Sequence, residues 1–286
     1  MIIDTHQHFW KYSPQKHQWI NGEMSALKKD FLPEDLQKIY KEHGIKGCVA
    51  VQAEQSEEET GFLLQLADRY KFIRGVVGWV DLKSENLGTR LDYYKNFDKL
   101  KGFRHIVQDE PDPDFLLDQA FQRGLGQLEK NGFTYDLLIY PRHMNAAIHS
   151  VRNFPNLRFV IDHIAKPDIR NSKINDWARS METIAHEKNV YCKMSGMVTE
   201  ASWRGWKQSD FVPYLDVVFQ TFGADRVMFG SDWPVCLLAG GFQDVLDIIV
   251  QYTRGFSEQD KQKIYYTNAM DFYRLSLSQQ KWGNSS

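Results

Sequence analysis

The segment Asp4-Thr5-His6-Gln7-His8 carries two imidazoles two residues apart inside an apolar run, Ile2 to Phe9, that reads as a strand. Side chains two apart along a strand share a face, so His6 and His8 project together. Such a pair can grip a metal ion, hold one anionic group of a substrate, or simply satisfy buried carbonyls. The last account leaves other residues unexplained. Arg104 and His105 end Gly102-Phe103-Arg104-His105, His163 ends Val160-Ile161-Asp162-His163, and Asp232 ends Phe229-Gly230-Ser231-Asp232. Three imidazoles and a carboxylate, His6, His8, His163 and Asp232, suit a zinc-like ion, and Asp232 can also act as general base toward water. Without an ion, the imidazoles would donate hydrogen bonds to a carbonyl oxygen. His17, His43, His149 and His186 fall in loops or helical stretches and read as surface or cap residues.

Groups so distant in sequence meet only if the fold gathers strand ends. Strand-like runs recur at 2–9, 47–51, 72–80, 102–107, 133–140, 157–164, 190–194 and 226–230. Several, such as Phe159-Val160-Ile161, are continuously apolar, as strands covered on both faces require. Amphipathic segments of helical length lie between them, at 33–42, 57–70, 87–94, 114–130, 143–151, 174–187, 211–222 and 242–252. A last one runs from Ser257 to about Arg274, opened by a weak capping box with Asp260. Strand and helix alternate without a linker, which predicts an α/β protein: a (β/α)₈ TIM barrel as one domain over 1–286, with helix 257–274 packed on it. An open doubly wound sheet would show a Gly-rich phosphate turn, and none is present. In a barrel the carboxyl ends of the strands carry the chemistry, and the ionisable residues sit there. The longer connections, 10–32 and 197–210 with Trp203, Arg204 and Trp206, are candidates for a lid.

An apolar fraction of 42% and a charged fraction of 25% exclude a globally disordered chain. Thirty-five Lys and Arg against thirty-seven Asp and Glu give a net charge of −2, which leaves no broad positive face for nucleic acid or an anionic membrane. A small-molecule partner is expected, and no feature indicates a homo-oligomer. Cys48, Cys192 and Cys236 are scattered and odd in number, which argues against a disulfide framework. With neither a signal peptide nor a bilayer-length apolar run, the expected location is the cytoplasm.

Ile3-Asp4-Thr5-His6-Gln7-His8-Phe9-Trp10, Val51-Gln52, Gly102-Phe103-Arg104-His105, Asp162-His163-Ile164-Ala165-Lys166-Pro167, Lys193-Met194-Ser195-Gly196 and Gly230-Ser231-Asp232-Trp233-Pro234 together resemble the amidohydrolase superfamily. Within it they are similar to the amidohydrolase 2 branch that hydrolyses sugar lactones, and the resemblance covers nearly the whole chain. It implies that His6 and His8 match the first metal's pair, His163 a later strand-end histidine, and Asp232 the carboxylate that activates water. Binuclear members carry a bridging Lys or Glu on the fourth strand and a His on the fifth. Here those places hold Arg104 and Leu138-Ile139-Tyr140-Pro141, so one divalent ion, or none, is expected.

The reaction so implied is hydrolysis of an aldonolactone, of the L-fucono or L-rhamnono type, to the open hydroxy acid. Arg104 and Lys166 would hold the lactone oxygens or the nascent carboxylate. Gln52 would bond a hydroxyl, Trp79 and Trp233 would supply an apolar wall for sugar C–H faces, and Tyr140 and Trp203 would form the rim. Lys193 is a weaker candidate because strand alternation can turn it away. No serine nucleophile is needed, since Ser231 lies outside a Gly-x-Ser-x-Gly turn. A metal-dependent decarboxylase of an aromatic or unsaturated acid and a non-enzymatic sugar-binding barrel remain the alternatives.

Overall fold

The computed structural model describes residues 1–276, so 277–286 of the expected domain lie outside the described residues. Eight parallel strands pair in chain order: β1 (Ile2–Gln7), β2 (Ile45–Val51), β3 (Ile73–Gly78), β4 (Leu100–His105), β5 (Thr134–Leu137), β6 (Phe159–Ile161), β7 (Val190–Met194) and β8 (Val227–Phe229). The seam between β8 and β1 closes just past the end of β8, where Asp232 N–H donates to the His6 carbonyl at 2.7 Å and His8 N–H to the Trp233 carbonyl at 2.8 Å. The expected (β/α)₈ barrel is the fold found.

Helices Pro33–His43, Glu57–Arg69, Leu87–Tyr94, Gln119–Asn131, Met144–Asn153, Asn175–Ala185, Gln208–Phe222 and Phe242–Tyr252 alternate with the strands. Their starts follow local chemistry. Ser56 Oγ accepts from Glu59 N–H, satisfying a donor that has no partner inside the helix. The expected helix 114–130 is divided, because Asp118 caps Gln119–Asn131 by accepting from Phe121 N–H and leaves Phe115–Leu117 as a separate 3₁₀ turn. Strands five, six and eight are shorter than expected at their carboxyl ends, because the residues after them leave the sheet to build the site.

The apolar core forms two layers. The larger lies between strands and helices; the smaller fills the barrel, where Ile3, Val49, Val51, Val77, Val160 and Met228 meet Tyr266, Ala269, Phe272, Tyr273 and Leu275. The second set belongs to the C-terminal segment, which comprises Glu258–Gln262, a π-helical turn Lys263–Thr267 and Asn268–Phe272. It closes the amino-terminal mouth of the barrel, where Arg158 Nη1 donates to the Asp271 carbonyl at a distance of 2.6 Å. The opposite mouth is thereby the one left open. No helix among the described residues is long and apolar enough to cross a membrane.

Candidate active site

A bulge aims the histidine pair. Along β1, Asp4 pairs with Cys48 and Gln7 with Ala50, so three steps on β1 match two on β2. The extra residue shifts the alternation. Ile3 and His6 both reach the interior, while Asp4 turns toward Tyr40, whose hydroxyl donates to Asp4 Oδ2 at 2.8 Å. Asp4 also accepts from Ser231 N–H at 2.8 Å and Ser231 Oγ at 2.5 Å, tying the start of β1 to the loop after β8.

His163 and Asp232 arrive by a different route. Residues 163–166 all have positive φ, between 48° and 60°, and Asp232 has φ of 56°. Left-handed backbone is uncommon for residues with a Cβ, and four in succession require the surrounding packing to impose it. The turn lets consecutive residues Asp162 and His163 both face His6, which strand alternation forbids. The rings of His6 and His163 lie 4.4 Å apart between centroids, and those of His6 and His8 5.0 Å.

Each imidazole is held from behind at Nδ1. His8 Nδ1 lies 2.8 Å from the Val51 carbonyl, His163 Nδ1 2.9 Å from Ser195 Oγ, and His6 Nδ1 3.2 Å from Asp162 Oδ1. This arrangement fixes ring orientation and turns Nε2 toward the site. His8 Nε2 and His6 Nε2 stand 3.4 Å and 3.9 Å from Asp232 Oδ1. Two overlapping triads can hold a cation, His6 with His8 and Asp232, and His6 with Asp162 and His163, each with ligand atoms within 4.8 Å of one another. The first fits one divalent ion of the zinc type, with two nitrogens, a carboxylate and an open side.

Burial holds His6 and His163 well below the usual imidazole range, so both present neutral lone pairs. Burial works against the charge of Asp232, but His163, His8 and Lys166 outweigh it and keep the carboxyl below its ordinary value. Asp162 is depressed further: burial opposes its charge and Lys193, His6 and Arg104 overcome that opposition.

The site opens into a cavity of about 380 Å³, within the range of small-ligand pockets. His8, His163, Asp232 and Arg104 line its floor, and Lys166, Tyr140, Gln108 and Glu200 stand on the polar side. Lys166 Nζ donates to Gln108 Oε1 at 3.0 Å and lies 3.3 Å from Glu200 Oε1. Burial disfavours the Lys166 charge, yet Glu200, Tyr140 and Asp232 raise its pKa above the ordinary value. Trp19, Met24, Val235 and Leu238 supply an apolar side, and Trp203 also lines the cavity. The Trp19 indole N–H and the Arg104 Nε–H are buried without a hydrogen-bond partner.

Several expected contacts are redirected. Gln52, just past the end of β2, is fully buried and does not line the cavity: its amide N–H donates to the Arg104 carbonyl at 3.0 Å and its Oε1 accepts from Arg104 Nη2 at 3.4 Å. Trp79 follows the end of β3, where alternation no longer governs direction, and its indole approaches His105 Nδ1 at 3.5 Å instead of lining the cavity. Trp233 packs edge-on against Phe31 with centroids 5.2 Å apart, also outside the lining. The guanidinium fork of Arg104 is engaged by the protein: Nη1 donates to Asp162 Oδ2 at 3.0 Å and stands 3.3 Å from His6 Nε2, and Nη2 donates to the Gln52 carbonyl. His17 is buried rather than at the surface, accepting from Ser13 N–H at 3.2 Å and stacking on Tyr12. Lys193, expected to be a weak candidate, points inward and is completely buried.

Sequence reasoning overlooked Gln108, Glu200, Trp19 and Asp136. Glu200 ends a one-turn helix, Met197–Glu200, too short to show a period, and Trp19 comes from a loop. Asp136 sits within β5, where a carboxylate in an otherwise uncharged strand was the available signal.

A closed parallel barrel with a buried imidazole–carboxylate cluster at the carboxyl ends of its strands is the architecture of a hydrolase that activates water. The chain belongs to the amidohydrolase family, whose profile matches residues 3–275. It is 36% identical over 280 residues to an L-fucono-1,5-lactonase of Burkholderia ambifaria, covering 96% of this chain and 95% of that protein. An L-rhamnono-gamma-lactonase of Scheffersomyces stipitis is 28% identical over 204 residues, covering 63% of this chain and 60% of that one. A crystal structure of an amidohydrolase from Burkholderia multivorans with bound zinc superposes with a TM-score of 0.93 at 35% identity, covering 96% of this chain and 100% of that one.

Proposed function

We propose that the protein hydrolyses an aldonolactone, of the L-fucono or L-rhamnono type, to its open hydroxy acid. The observation that carries this reading is Asp232, held ionised between His8 and His163 at the floor of a cavity with one polar and one apolar side. Similarity to lactonases of that type supports the substrate class.

A divalent ion held by His6, His8 and Asp232 supplies, when bound, Lewis-acid polarisation of the lactone carbonyl. Asp232 takes a proton from the attacking water. The new C–O bond forms at the carbonyl carbon and the ring C–O bond breaks, with the proton on Asp232 returning to the departing ring oxygen. An alkoxide leaves from an ester more readily than an amine from an amide, so one carboxyl group suffices for both transfers. Lys166, Tyr140, Gln108 and Glu200 offer donors and acceptors to ring hydroxyls, while the unpartnered Trp19 N–H is a further donor. The apolar side suits the C–H faces or the methyl group of a deoxy sugar.

The test is a panel of sugar lactones assayed by proton release beside an unsubstituted lactone and the corresponding acids. Each buried donor left unpaired costs about 1–3 kcal/mol, so the best sugar lactone should exceed the unsubstituted one by about tenfold or more in kcat/KM. A smaller ratio refutes the sugar assignment. Release of carbon dioxide from an aromatic or unsaturated acid, with no lactone turnover, would favour a decarboxylase.

A further inference from the structure

Beneath the histidines lies a group of charges that the reaction does not use. Lys193, on β7, is fully buried, with Nζ 2.5 Å from Asp136 Oδ2, 3.0 Å from Asp162 Oδ1 and 3.2 Å from His6 Nδ1. Asp136 also accepts from the Tyr273 hydroxyl, at 3.1 Å to Oδ1 and 2.9 Å to Oδ2. Asp162 divides its oxygens: Oδ1 faces Lys193 and His6, and Oδ2 receives Arg104 Nη1 at 3.0 Å. Two carboxylates are thereby matched by two buried cations. The chain of contacts runs from the C-terminal plug, through Tyr273, Asp136, Lys193 and Asp162, to His6.

We infer that Lys193 is a positioning residue for the active site, acting on His6 directly at Nδ1 and through the charge of Asp162 to set the orientation of the ring. This rests on the proposed role of His6 in the site. The division of Asp162 requires a cation on each side. Without Lys193, Arg104 is the remaining cation against Asp162, and the carboxylate turns both oxygens toward the guanidinium fork in the bidentate geometry such pairs favour. His6 Nδ1 then loses both its 3.2 Å contact with Lys193 Nζ and its 3.2 Å contact with Asp162 Oδ1, and Nε2 swings away from Asp232. A charge pair serving only to fill the barrel would show no such dependence, because an apolar pair of similar volume replaces a buried ion pair without loss of fold.

The informative variant is Lys193→Met combined with Asp136→Asn, which removes both charges and leaves no unpaired ion. Three readouts are compared with the parent protein: kcat and KM on the best lactone, zinc affinity by competition with a chromophoric chelator, and the Nδ1 resonance of His6 in ¹⁵N-histidine-labelled protein. Loss of a group behind a ligand typically costs about 10–100-fold in metal affinity or activity. The expected result is a folded variant with kcat lowered about tenfold or more, KM within about threefold, zinc bound correspondingly more weakly, and the His6 Nδ1 resonance shifted. A folded variant with kcat, zinc affinity and that resonance all unchanged overturns the inference. Should the parent turn over no lactone, the functional reading fails, and the zinc and resonance readouts still decide the role of Lys193. If the double variant does not fold, Asp136→Asn alone is used. It keeps Lys193 but removes its closest anchor, and an unchanged His6 resonance there also overturns the inference.

Discussion

The backbone N–H of Asp232 donates to the carbonyl of His6 at 2.7 Å, so the bond that closes the barrel also joins the two strand ends that carry the cluster. His6 and Asp232 are 226 positions apart in the chain and become neighbours through this seam. Any change that opens the seam therefore moves Asp232 relative to the imidazoles, and under the proposed mechanism catalysis should be more sensitive than overall stability to substitutions along it.

Replacing Asp232→Asn preserves shape and hydrogen-bonding capacity while removing the base. Turnover should fall on the order of 100-fold or more, with the spontaneous hydrolysis of the lactone subtracted. Activity close to that of the parent would assign the proton transfer to another group.

At most one divalent ion should bind per chain at the cluster, and His8→Ala should abolish it, because the place of a bridging acid or lysine is taken by Arg104 and its fork is engaged with Asp162. Metal analysis of protein purified without added ions, read per chain, is the measurement. Two tightly held equivalents would contradict the expectation.

The pH profile of kcat/KM should stay level as pH falls from 8 to the ordinary imidazole value of 6.5. Burial depresses His6 and His163, and the neighbouring imidazoles and Lys166 depress Asp232 despite its burial; each group therefore keeps its deprotonated form to lower pH than usual. An acid limb set by any of these three groups accordingly lies below 6.5, and a limb centred at or above that value would show that a different group limits the reaction.

Gly196→Ala should damage the site from outside the cavity. Gly196 has φ of 59°, and a Cβ there would stand 2.4 Å from His163 Nδ1, in the place where that ring meets Ser195. Displacing the ring should lower kcat by about tenfold or more, while circular dichroism reports an unchanged barrel. A variant as active as the parent would remove His163 from the chemistry.

The barrel and the outline of the site were legible in the chain because both rest on local rules. Apolar runs with helical segments between them specify alternating elements, and a barrel presents the carboxyl ends of its strands together. His6, His8, Arg104, His163 and Asp232 could be placed at those ends from their positions alone. Alternation fails where a strand stops or bulges, and the directions of particular side chains fail with it. The extra residue in β1 turned His6 inward and Asp4 outward, the left-handed turn brought Asp162 beside His163, and Trp79 and Trp233 left the cavity for aromatic or polar neighbours. Lys193 had no partner within its own segment; Asp136 lies 57 residues away, and only barrel closure makes the ion pair that allows an ammonium group to be buried there. Sequence determined which residues stood near the mouth, through periodicities spanning a few residues. The tertiary structure decided which of them face the substrate, because that depends on backbone turns and buried charge partners supplied from across the barrel.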